Sequence, residues 1–215
     1  MGMRRPVLLA VLAVLVAGNA ACGNSEAGTP RPTSSLDPTS SVEAPTSTTG
    51  GSLPPRPRSL TLDGVEPCNL LTKQQSASFS IDRPPRGGTG SSGPLGNASD
   101  CSFVTSVGAA NDWGFLIIAS TTVGLSEYLE QIRDNPTRHV ITVGGFPAVK
   151  EEQKSNLGPG NDTCFVDVDV ADGQMLALQF GQVAADEGKV LPMETLCAKA
   201  VEVAEAALAT LQGQR

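Results

Sequence analysis

Five cysteines and a single histidine, His139, are the groups in this 215-residue chain best suited to covalent or metal chemistry, and their spacing sorts them. Cys22 stands apart. It follows two basic residues, Arg4 and Arg5, and an apolar run from Val7 to Ala17, which is the layout of a secretory signal and is too short to span a bilayer comfortably. The small residues Ala20 and Ala21 directly before the thiol fit lipoprotein processing, in which the signal (1–21) is cut behind Ala21 and Cys22 becomes a diacylated N-terminus. Asn19 departs from this pattern, because an aliphatic residue is usual there. The competing reading is ordinary cleavage near Ala20 or Ala21 that leaves a free thiol. Cysteine parity favours the lipid: without Cys22, four cysteines remain.

An even set in an exported chain implies two disulfides. Four thiols allow three connectivities. The spacing suggests Cys68 with Cys101 and Cys164 with Cys197, each closing a loop of about 33 residues, which the chain-entropy model values at roughly 3 to 4 kcal/mol. Zinc is excluded by spacing, since no two cysteines lie within two to four residues and His139 stands alone.

Other candidate chemistry reads more simply as structure. His139 starts a predicted strand and has no second histidine to work with, so it is a surface or strand-end residue. The loop GTGSSG holds serines among glycines but no Gly-x-Ser-x-Gly elbow. Asp167, Asp169 and Asp172 resemble a calcium loop, yet Ala171 occupies a required ligand position and no glutamate follows at the right distance. Alternation places Asp167 and Asp169 on the wet face of a strand and makes Asp172 a turn former. Glu151 and Glu152, followed by Lys154, read as a solvated strand end. Asn97-Ala98-Ser99 and Asn161-Asp162-Thr163 match the glycosylation sequon by chance. No metal, cofactor or catalytic set is implied.

The elements that carry these residues follow from pattern. From 22 to 66 the chain is dominated by Ser, Thr, Pro and Gly and reads as a disordered tether, roughly 35 Å end to end as a flexible coil. Residues 67–215 suffice for one domain that buries about 70% of its unfolded surface. Thr72 and Gln75 form a capping box ahead of a short helix from Lys73 to about Phe79. Arg83 to Ser99 is a long Gly-rich loop. CSFVTSV and WGFLIIAST are strands, the second apolar on both faces and so central in a sheet. LSEYLEQIRD is a helix with Leu125, Tyr128, Leu129 and Ile132 on one face, and HVITV and FPAVKEEQ are strands joined across Gly144-Gly145.

CFVDVDVADGQMLALQF is a hairpin whose register depends on its turn. A three-residue loop, Ala171 to Gly173 with Gly173 left-handed, pairs Val168 with Leu176 and Val166 with Leu178, and points Cys164 into the core. After Pro192 an amphipathic helix buries Leu196, Cys197, Ala200, Val201, Ala204, Leu208 and Leu211 and turns Glu194, Lys199, Glu202 and Glu205 outward. The fold class is α+β: an antiparallel sheet with packed helices, two disulfides and a C-terminal amphipathic helix.

Composition narrows the partners. The net charge of −7 becomes −9 once a signal containing Arg4 and Arg5 and no acidic residue is removed, which disfavours nucleic acid and anionic headgroups. At 4% aromatic content, with Trp113 and Tyr128 the sole residues of their types, stacking on sugars or bases is disfavoured too.

The order of parts, from lipobox and tether through Pro67-Cys68-Asn69-Leu70-Leu71-Thr72, Cys101-Ser102-Phe103 and the Cys164 hairpin to Cys197-Ala198-Lys199-Ala200, resembles the actinobacterial lipoproteins grouped as domain of unknown function 3558. Phe103 stands where that resemblance implies Trp. The resemblance implies a location and a disulfide pattern and no reaction. The expected function is a noncatalytic binding or sensing module, held on the outer face of the cell membrane by the lipid (palmitate) on Cys22 and facing an envelope protein or small ligand. A carrier of a lipid or small apolar ligand held between sheet and helix is the second expectation; an envelope hydrolase is a third, which the single histidine opposes.

Overall fold

The computed structural model describes residues 53–89, 94–106, 112–132, 135–158, 160–182 and 190–215. The proposed signal, Cys22 and the tether up to Ser52 lie outside the described residues. A 3₁₀ turn, Pro67–Asn69, and helix α1, Lys73–Ser78, lead into strands β1, Arg86–Thr89, β2, Ser99–Val104, and β3, Trp113–Ser120. Helix α2, Leu125–Gln131, precedes β4, Arg138–Val143, β5, Phe146–Gln153, β6, Thr163–Ala171, and β7, Gln174–Gln182; helix α3, Met193–Gly213, ends the chain. The strands form one antiparallel sheet in the order β1-β2-β3-β7-β6-β5-β4. Among the described residues no helix is long and apolar enough to cross a membrane.

The sheet has two covered faces. On the first, Phe103, Phe115, Ile117, Val166, Val168, Leu178 and Phe180 meet the stripe of α3 formed by Leu196, Cys197, Ala200, Val203, Ala204, Leu208 and Leu211. Val203 and Ala207 belong to that stripe and Val201 does not; Val201 is only partly buried, because at 100° per residue it falls on the flank of the arc centred on Ala200 and Ala204. Phe103 stacks on Phe115 at 5.0 Å between ring centroids, so the Phe in place of Trp serves as core. The disulfides join Cys68 to Cys101 and Cys164 to Cys197, each across 33 residues; the second fastens α3 to β6 at a fully buried site.

Local chemistry sets the connections. Thr72 Oγ1 accepts from the Gln75 amide at 3.2 Å and Gln75 Oε1 accepts from the Thr72 amide at 2.7 Å, closing the capping box. Gln75 Nε2 also donates to the Ala206 carbonyl, which ties α1 to α3. Gly144 and Gly145 have φ of +54° and +85°, the two left-handed positions of a tight hairpin turn, and pair Val143 with Phe146.

In the β6–β7 hairpin, Val168 pairs with Leu176 and Val166 with Leu178, the register expected. The turn itself is tighter than expected. Ala171 pairs with Gln174 around Asp172-Gly173, and the extra residue is a bulge at Val170.

That bulge serves a segment assigned above to the tether. The Val170 carbonyl accepts the Leu60 amide at 2.7 Å, and Gln174 Oε1 accepts the Leu62 amide at 2.6 Å. Leu60 and Leu62 are 2% and 1% exposed, so the folded domain begins before Pro67. Alternation in Leu60-Thr61-Leu62 supplies the apolar face that composition alone concealed. A second correction concerns the Gly-rich loop, where Arg86–Thr89 forms edge strand β1 beside β2; its residues are all exposed, so no apolar pattern announces it.

Arg56 secures the same segment. It donates to Asp169 Oδ1 at 2.6 Å and to Asp172 at the hairpin turn. Arg56→Ala leaves the nearly buried Asp169 without its cation and is expected to cost about 1–2 kcal/mol, less than a fully buried pair because the site reaches solvent. Urea denaturation of wild type and variant measures it.

Candidate functional site

Strict alternation in Phe165-Val166-Asp167-Val168-Asp169 sends the valines toward α3 and the aspartates to the other face. That face is not wet. Helix α2 lays Leu125, Tyr128 and Leu129 on it, and Leu95 and Ala98 close it from the β1–β2 side, in a second cluster with Ile118, Val149, Met175 and Ala177. Asp167 and Asp169 are 4% and 8% exposed, which corrects the wet-face expectation for both. Asp172 does sit at the turn, its side chain almost wholly exposed.

Between α2, the 94–98 segment and the sheet lies a pocket of about 330 Å³. Its walls are Pro94 and Leu95, Leu116 and Ile118 of β3, Ala177 of β7 and Phe165 of β6; its polar groups are Asp100, Tyr128, Asp167 and Gln179. Among the described residues, no lysine or arginine lines it.

Asp167 is the unusual group. Burial, the charge of Glu151 and, in opposition, Arg138 set its proton affinity, and the carboxyl is pushed up to about 7. Burial together with Asp167 and Glu151 raises the Tyr128 phenol to about 12, so it stays a neutral O–H donor. Glu151 is no solvated strand end: it meets Arg138 at 3.5 Å, their side chains 15% and 13% exposed. Arg138 also donates from an η nitrogen to the Ile132 carbonyl at 2.5 Å, while its Nε is buried without a hydrogen-bond partner. Glu152 pairs instead with Lys150 at 3.2 Å.

The structure therefore brings together Asp167, Glu151, Arg138 and Tyr128, although alternation alone makes the first two solvent-facing and the α2 stripe alone makes Tyr128 a packing residue. The signal was present in β3. A strand apolar on both faces needs cover on both, and α2 was the only unassigned apolar helix face available to supply it.

His139 stands exposed on edge strand β4 and does not line the pocket. Asn97-Ala98-Ser99 enters β2, and Asn161 donates to the Gly158 carbonyl. Part of the GTGSSG loop, 90–93, lies outside the described residues. Among the described residues, no three His, Cys, Asp or Glu side chains are grouped to hold a metal ion.

A family model described as protein of unknown function (DUF3558) matches residues 17–210, and the chain belongs to that family. No curated protein and no solved structure matches it.

Proposed function

We propose that this DUF3558 chain is a cell-envelope lipoprotein of the actinobacterial kind, held at the outer face of the plasma membrane by acyl chains on Cys22, and that its domain is a noncatalytic binding module. The observation that carries the binding role is the pocket under α2: apolar walls, a few convergent polar groups and a perturbed carboxyl, the usual composition of a small-ligand site. The layout around Cys22 supports the address.

The same observation narrows the carrier reading. The centre of the sheet–α3 interface is filled by residues at or near zero exposure, and the cavity on that side lies at its β4–β5 edge beside Lys150, Glu152 and Glu194, so the pocket under α2 is the better-supported place for a ligand. At about 330 Å³ the pocket is at the small end of ligand sites and fits a compact molecule or a short stretch of chain rather than a whole diacyl lipid.

Native mass spectrometry of the full-length protein, released gently from its own membrane, tests both halves. Expected is a diacyl mass on Cys22, lost in Cys22→Ser, together with a stoichiometric noncovalent passenger. A bare domain overturns the small-ligand role, and an unmodified Cys22 overturns the anchor.

A further inference from the structure

We propose that the pocket under α2 binds a small amphiphilic ammonium ion, its apolar body against Leu95, Leu116 and Ile118 and its cationic head on the Asp167 carboxylate. The inference rests on the binding reading above and names its ligand class.

Three observations converge on a cation. The apolar walls end at polar groups that include two carboxyls, Asp167 and Asp100, and, among the described residues, no basic side chain. Asp167 is 96% buried, and burial together with the charge of Glu151 outweighs Arg138 in setting its proton affinity, so a bound cation would relieve a carboxylate that its surroundings compensate only in part. The groups that face it are Glu151 from β5, Arg138 from β4 and Tyr128 from α2; because Glu151 already pairs with Arg138, the ionised cluster is net negative, and Asp100 from β2 lines the same pocket. Tyr128 and Phe165 also line the pocket and add aromatic surface suited to a cation. An anionic head would meet two like charges there. A purely apolar ligand would seal Asp167 from water without a partner.

The raised proton affinity of Asp167 gives the site a direction with pH. At pH 8 the carboxyl is largely ionised and accepts the ammonium; at pH 5.5 it is protonated in the empty pocket, and binding must displace that proton. With a carboxyl titrating at about 7, affinity is expected to fall about thirtyfold across that interval.

The test is calorimetric titration of the full-length chain carrying Cys22→Ser with n-octylammonium, octanoate and 1-octanol, at pH 8 and 5.5. Octylammonium is expected to bind one-to-one at pH 8, to weaken at pH 5.5, and to lose at least tenfold in Asp167→Asn while 1-octanol is unaffected. Thermal melting of Asp167→Asn verifies that the variant folds. Preference for octanoate or 1-octanol, or octylammonium binding indifferent to Asp167→Asn, overturns the ligand class and leaves the binding module standing. Binding of none of the three also overturns it, and the broader reading is then decided separately by the native passenger.

Discussion

Asp167→Asn is expected to stabilise the empty domain at pH 8 and to leave its stability unchanged near pH 4. The native carboxyl holds its proton up to about pH 7, whereas in the unfolded chain it releases it near the ordinary aspartate value, about 4. Between those values the folded state binds a proton that the unfolded state does not, so raising the pH draws the equilibrium toward unfolding. The stability associated with this group is fully present below about pH 4 and is lost as the pH rises through about 7. A shift of that size corresponds to something on the order of 4 kcal/mol as an upper bound. Asparagine keeps the shape, removes the buried charge and leaves Glu151 and Arg138 paired. Urea denaturation from pH 4 to 8 should show wild type losing stability relative to the variant along that interval. Parallel curves would mean that Asp167 ionises like an exposed aspartate.

Removing the Cys164–Cys197 bond with Cys164→Ala and Cys197→Ala is expected to destabilise by about 4 kcal/mol. The bond closes 33 residues, for which loop-closure entropy alone gives that magnitude. Both cysteines are buried, at 0% and 3% exposure, so the alanines also leave unfilled space against α3. For a domain of this size the melting temperature should fall by roughly 10 °C in scanning calorimetry. A fall of only one or two degrees would show that packing of Leu196, Ala200 and Leu208 holds α3 without the staple.

Which parts of this structure were legible in the sequence follows from the kind of signal each leaves. The β6–β7 register was readable because one face had to be apolar on both strands, and a shift by one residue would have buried the aspartates against α3. Most of the α3 stripe was readable for the same periodic reason, with Val203 and Ala207 missed and Val201 misplaced. Parity called for two disulfides, and equal spacing suggested their pairing without choosing it. What escaped was context: Asp167 alternates like a solvent-facing residue, and only the arrival of α2 and of the 94–98 segment, remote in sequence, turns its face inward. Leu60 and Leu62 escaped because two leucines in a stretch rich in Pro and Ser carry little weight until the bulge at Val170 offers them a carbonyl. Strand β1 escaped because an exposed edge strand of Arg-Gly-Gly-Thr has no pattern to read.

The binding role proposed for this domain stands on the pocket under α2. Its most direct test compares the native mass of wild type with that of Ala177→Phe, a change that fills the pocket from β7, both as full-length chains taken from the same membrane. A stoichiometric passenger is expected on wild type and none on Ala177→Phe, at matching melting temperature. A passenger retained in full by the folded, filled variant would contradict it.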